Sequence, residues 1–178
     1  MKKFNTRTLV ATALGAALFL VVFKFVSIPS PVLNTNFAPA YAISTFFAVV
    51  FGPVCGFLVA FIGHALTDAT AGWGIWWSWV IGSGVCACII GLCNIDVESG
   101  KISNKDWIKF ALYCLVANAV AWPVVSAIGD VVIYQEVWST VFPQLCLAFV
   151  ADSIVCIVLG GLLIFAYSKT KTGKGTLE

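Results

Sequence analysis

Two side chains able to exchange a proton stand one helical turn apart in this chain: His64, its single histidine, and Asp68. Four-residue spacing puts both on one helix face, where an imidazole and a carboxylate can act as an acid–base pair, bind a solute, or simply bond one another. A second run, Asn118, Trp122, Ser126 and Asp130, keeps the same spacing and predicts a polar stripe along a helix. Gln144 and Asp152 repeat the pattern on another helix, about 12 Å apart along its axis. Four tryptophans fall close together, Trp73, Trp76, Trp77 and Trp79. Trp73 suits an aromatic belt at a membrane surface. Trp76 and Trp77 lie about a turn deeper, where flat rings beside polar groups can stack on a heteroaromatic molecule.

No other motif supports chemistry on the chain itself. There is no P-loop pattern for ATP hydrolysis and no G-x-S-x-G elbow for a nucleophile. Cys86 and Cys88 have no histidine or carboxylate nearby to complete a tetrahedral site, so no metal is expected, nor any cofactor. The cysteines all fall in or beside apolar runs and read as small core residues rather than disulfide partners. Hydrogen bonding between helices accounts for any one of the polar residues taken alone. It gives no reason for them to gather toward one leaflet, whereas a solute site open to one side does.

The elements that hold these groups follow from composition. Of 178 residues 61% are hydrophobic and 10% charged, and the mean hydropathy is +1.01. An ordinary soluble chain is about half apolar and about a quarter charged, so the solvent here is lipid, which excludes a nucleic-acid binder, a secreted disulfide scaffold and a soluble enzyme. The expected class is an all-α integral membrane protein, one domain over 1–178, with six transmembrane helices near 8–26, 38–51, 54–70, 73–93, 107–128 and 141–167. The second is short, and Gly52-Pro53 turns straight into the third. The apolar run after Lys2, Lys3 and Arg7 is too long for a signal-peptide core and reads as a retained helix. Six spans put both termini on one side. Nine of the ten basic residues (Lys2, Lys3, Arg7, Lys101, Lys105, Lys109, Lys169, Lys171, Lys174) then share that side, which the positive-inside rule makes cytoplasmic. The polar faces open outward. The loop from Ser27 to Phe37, with two prolines and the amides Asn34 and Asn36, suits a lid. On the first helix Ala13 and Ala17 form an A-x-x-x-A surface, suited to internal packing or to close approach of a partner helix.

The ordered run Val26-Ser27-Ile28-Pro29-Ser30-Pro31, Asn34-Thr35-Asn36, Phe51-Gly52-Pro53, Gly56-Phe57, Phe61-Ile62-Gly63-His64-Ala65-Leu66 and Trp76-Trp77-Ser78-Trp79 resembles the substrate-binding S components of energy-coupling factor transporters. The likeness is greatest to the riboflavin-type subgroup and its uncharacterised relatives, and it covers nearly the whole chain. It implies a six-helix protein in a bacterial or archaeal cell membrane, surrounded by lipid, that captures a vitamin or precursor from outside under its first loop. The resemblance also implies partners: a transmembrane scaffold subunit met by the Ala13 and Ala17 face, and two ATPase subunits. Asn34, Asn36, His64, Asp68, Trp76, Trp77, Asn118, Trp122, Gln144 and Asp152 are the expected substrate-binding residues, with no catalytic and no metal residue. Two other readings stay open. A stand-alone secondary transporter is one, disfavoured by the lack of an evident inverted repeat. An intramembrane enzyme using His64 and Asp68 is the other.

Overall fold

The computed structural model describes residues 5–171. Helix α1, Thr6–Val26, opens on Asn5, whose side chain accepts the Thr8 backbone N–H at 3.0 Å, satisfying one of the donors a helix start leaves over. It stops where Ser27 turns extended ahead of Pro29. Two short strands follow, Ile28–Pro29 and Asn36–Phe37, paired antiparallel, so the expected lid is a small hairpin, with Asn34 at a φ of 55° in its turn. Helix α2 runs Ala40–Phe51 and α3 Pro53–Ala71. Between them Gly52 holds a φ of 106°, open to glycine and strained for other residues, and Pro53 takes the first helical position, where no N–H is needed. Helix α4 is Trp77–Gly91.

The last two helices are long. Helix α5, Asn104–Ile133, covers 30 residues and α6, Trp138–Lys169, covers 32. A capping box starts α5: Ser103 accepts from the Asp106 N–H while the Asp106 carboxylate accepts from the Ser103 N–H. Both helices contain wide π turns, at Ala121–Ser126 and Gly129–Ile133 in α5 and at Val155–Gly160 in α6. Pro123 lies in the first of these. It has no N–H and its ring crowds the carbonyl four residues earlier, and a widened turn accommodates both defects.

This architecture corrects the expectation of six transmembrane helices. Among the described residues four helices are long and apolar enough to cross a membrane, α1, α3, α5 and α6, while Ala40–Phe51 and Trp77–Gly91 are shorter apolar helices. At 1.5 Å per residue these two are about 18 and 22 Å long, against an apolar bilayer core of about 30 Å. The apolar run 73–93 loses its ends for local reasons. Gly72 and Gly74 at φ 92° and 85° keep the chain non-helical up to Trp76, and Asn94 at φ 47° turns it beyond the other end. The cytoplasmic placement of both termini rested on six spans and on Lys2, Lys3 and Lys174, which lie outside the described residues, as does Glu178.

Helix α1 packs on α2 and α3, α3 on α4, and α4 on α5, while α6 closes against α2 and α5. Gly63 permits the α1–α3 contact, since a β-carbon there would meet the Phe19 side chain at 2.7 Å. Phe19, Phe110 and Trp122 fill the interior, and Leu14, Leu18, Phe25, Ile108, Leu112, Val132, Ile154 and Leu162 stand exposed on the outer surface. Such a surface fits contact with lipid or with other membrane subunits.

Candidate functional site

A cavity of about 400 Å³ lies at the end of the bundle that carries the 28–37 hairpin. Every helix contributes to it: Phe23 from α1, Tyr41 from α2, His64 and Asp68 from α3, Trp76 and Trp79 around the start of α4, Asp130 from α5, and Gln144 and Asp152 from α6. Asn34 and Asn36 line it from the hairpin. Its α6 wall is one stripe: Thr140, Gln144, Ala148 and Asp152 recur every four residues, with Glu136 one step above the helix. The hairpin is tied to this wall by Gln144, whose amide Nε2 donates to the Leu33 carbonyl at 2.8 Å.

The α3–α4 side is a bonded network. Ser83 Oγ lies within hydrogen-bond distance of the Trp79 carbonyl at 2.8 Å, of Tyr41 OH at 3.2 Å and of His64 Nδ1 at 2.7 Å. The other ring nitrogen of His64, Nε2, faces Asp68 Oδ1, 3.7 Å away. The imidazole stacks on Phe23, ring centroids 5.4 Å apart. Asp68 accepts from the Trp73 indole N–H at 3.3 Å and the Trp76 backbone N–H at 3.0 Å. These two bonds fold the 72–76 segment over the end of α3, a tertiary reason for the late start of α4. Asp130 is more fully engaged: Oδ1 accepts from Trp76 Nε1 at 2.7 Å and from the Ser78 hydroxyl, and Oδ2 from Trp79 Nε1 at 2.8 Å. Trp76 is held flat by stacking on Tyr134, with centroids 4.3 Å apart.

The cavity thus gathers seven of the ten residues expected from the sequence: Asn34, Asn36, His64, Asp68, Trp76, Gln144 and Asp152. It does not reach the other three. Asn118 and Trp122 are fully buried and bond within their own helix, Asn118 Nδ2 to the Cys114 carbonyl at 2.9 Å and Trp122 Nε1 to Asn118 Oδ1 at 2.8 Å. Trp122 lies behind the wall, against Tyr41 and Trp79. Trp77 points to the outer surface, near Phe61. Ala13 and Ala17 lie on the exposed face of α1, while Gly15 and Ala16 pack inward.

Other lining residues escaped the sequence reading as site members, among them Tyr41, Trp79, Asp130 and Glu136. Asp130 was legible as the end of a polar stripe and Trp79 as part of the tryptophan cluster. Tyr41, inside an apolar run, carried no signal. Among the described residues no three His, Cys, Asp or Glu side chains converge as metal ligands.

Fold and site together define a multi-pass membrane protein with an acid-lined, aromatic-walled cavity at one end. A family model described as "ECF-type riboflavin transporter, S component" matches residues 3–169. A UPF0397 protein of Streptococcus pneumoniae (strain CGSP14) is 42% identical over 178 residues, spanning 99% of this chain and 97% of that protein. A UPF0397 protein of Streptococcus sanguinis (strain SK36) is 42% identical over 180 residues, spanning 100% and 99%. The chain belongs to the ECF-type S-component family. It is accordingly a membrane-embedded, non-catalytic component of a transporter, and the reading of His64 and Asp68 as an enzyme's acid–base pair is set aside.

Proposed function

We propose that this S component captures a small metabolite, a vitamin or precursor, from outside the cell in the cavity beneath the 28–37 hairpin. The observation that carries the reading is the cavity itself: polar groups from the hairpin and from five of the six helices, with Phe23 of α1 beside them, converge on one space of about 400 Å³ inside an otherwise apolar bundle, within the size range of small-molecule sites. Asn34, Asn36, His64, Asp68, Trp76, Gln144 and Asp152 are the proposed contacts, with Trp122 supporting Trp79 from behind. The basic residues Arg7, Lys101, Lys105, Lys109, Lys169 and Lys171 lie toward the opposite end of the bundle, which favours an outward-facing cavity.

Energy comes from partners: a transmembrane scaffold subunit reached through the Ala13 and Ala17 face of α1, and two ATPase subunits. The test is thermal stability of the detergent-purified chain against a panel of water-soluble vitamins and precursors, headed by riboflavin because the matching family's description carries it. A bound solute at about 100 times its Kd adds about 2.7 kcal/mol. A saturable hit supports the reading; a panel without one, beside a responding control protein, defeats it. For docking, Ala13→Trp or Ala17→Trp should abolish uptake in vesicles holding the whole transporter and leave solute binding intact. Uptake by vesicles that hold this chain alone would instead make it a stand-alone transporter.

A further inference from the structure

Four carboxylates line the cavity, Asp68, Asp130, Glu136 and Asp152, and among the described residues no lysine or arginine does. Two of the four are already occupied by protein donors: Asp68 by Trp73 and the Trp76 backbone, and Asp130 by Trp76, Ser78 and Trp79. Their negative charge builds the wall. Asp152 is different. It is 3% exposed, it lines the cavity, and its Oδ1 has no hydrogen-bond partner. It ends the α6 stripe twelve residues beyond Thr140, about 18 Å deeper along the axis. A buried carboxylate oxygen without a donor is costly to maintain, and a positively charged donor arriving there removes that cost. The walls around the path are the rings of Phe23, Tyr41, Trp76 and Trp79, whose faces attract cations and stack on flat heterocycles.

Resting on the reading that this cavity is the solute site, we propose that its solute is a flat nitrogen heterocycle carrying a positive charge, with the cationic end seated against Asp152. Neutral analogues lose the charge pairing, and anionic ones meet four carboxylates. Asp152 is then the specificity-determining residue, and Asp68 and Asp130 position the tryptophans.

The experiment uses the full chain in detergent, with binding followed by calorimetry and by thermal stability. The probes share one ring and differ in charge: 1-methylnicotinamide, nicotinamide and nicotinate. A larger set does the same by class: thiamine as cation, riboflavin as neutral, riboflavin 5′-phosphate as anion. Expected is binding by a cationic member at least about tenfold tighter than by neutral or anionic members, and loss of about tenfold or more of that affinity in Asp152→Asn. The wild-type comparison stands even if the variant folds poorly. Equal or tighter binding of a neutral or anionic member overturns this inference and leaves the solute-binding reading intact, as does a cation whose affinity Asp152→Asn does not change. Failure of every member in all three charge classes defeats both.

Discussion

Asp130 and Asp152 are two aspartates on the wall of one cavity, 1% and 3% exposed, with opposite surroundings. Asp130 receives three donors from the start of α4, so its charge is spread over two indoles and a hydroxyl. Asp152 has an Oδ1 with no protein donor. The first arrangement is finished within the protein, and removing the carboxylate strands its donors. The second is unfinished and gains only when something else supplies a donor. Two residues of one type and one burial can therefore differ in what they do: one holds the wall, and the other is the proposed seat of the solute.

The largest effect that would test this contrast is on stability. Asp130→Ala should cost about 3–5 kcal/mol, because it leaves two tryptophan N–H groups and the Ser78 hydroxyl without their acceptor in a buried place. The melting temperature in detergent reads this directly, and a loss no larger than that of Asp152→Ala would erase the distinction. Asp152→Asn should leave the unliganded melting temperature nearly unchanged, since Oδ1 makes no hydrogen bond in the protein for the amide to break. A clear drop would mean that Asp152 has a structural role after all.

Gln144→Leu comes next. Its amide bond to the Leu33 carbonyl is the tie between the hairpin and α6, so about 1 kcal/mol should be lost. The loss should be local: hydrogen exchange at Thr35, whose N–H bonds the Val32 carbonyl, should rise while the helices keep their protection.

The smallest effect belongs to the other end of the molecule, where Glu98 pairs with Lys171 at 2.9 Å and accepts from Tyr167 at 3.4 Å. The hydrogen bond from Lys171 holds the Glu98 carboxyl below its ordinary value. A lowered carboxyl stabilises the fold above its unfolded-state pKa, and that contribution fades as pH falls through the folded-state value. The pair is solvent-exposed, so Glu98→Gln should shift the melting temperature at neutral pH by no more than about 1 °C and remove only a small part of its fall in acid. A larger shift would place this end among the stabilising regions.

Much of the site was legible because four-residue spacing on an apolar helix puts polar groups on one face. His64 with Asp68 and Gln144 with Asp152 were found that way, and both pairs line the cavity. The same rule selected Asn118 and Trp122, which bond one another inside the packing. Spacing identifies a face and leaves its direction open. Asn118 and Asp130 share a buried face, and position along α5 separates them: Asn118 lies twelve residues, about 18 Å, farther from the hairpin end where the cavity lies. Helix length was misjudged for a related reason. The run 73–93 is apolar enough for a span, but Gly72, Gly74 and the bonds from Trp73 and Trp76 to Asp68 keep its first turn unwound.

Composition alone determined the solvent of this protein, because 61% hydrophobic residues cannot be hidden inside 178, and long continuous apolar runs, in place of the short alternating segments of a barrel, determined the helical class. Ordered motifs along the chain were enough for the family. Tertiary structure alone decided which helices are of membrane length, which polar stripe turns inward, and which carboxylate is left without a donor. Those are outcomes of how helices rotate and where loops fold back on them, and they depend on contacts between residues far apart in the chain, such as Trp76 with Asp130 and Gln144 with Leu33.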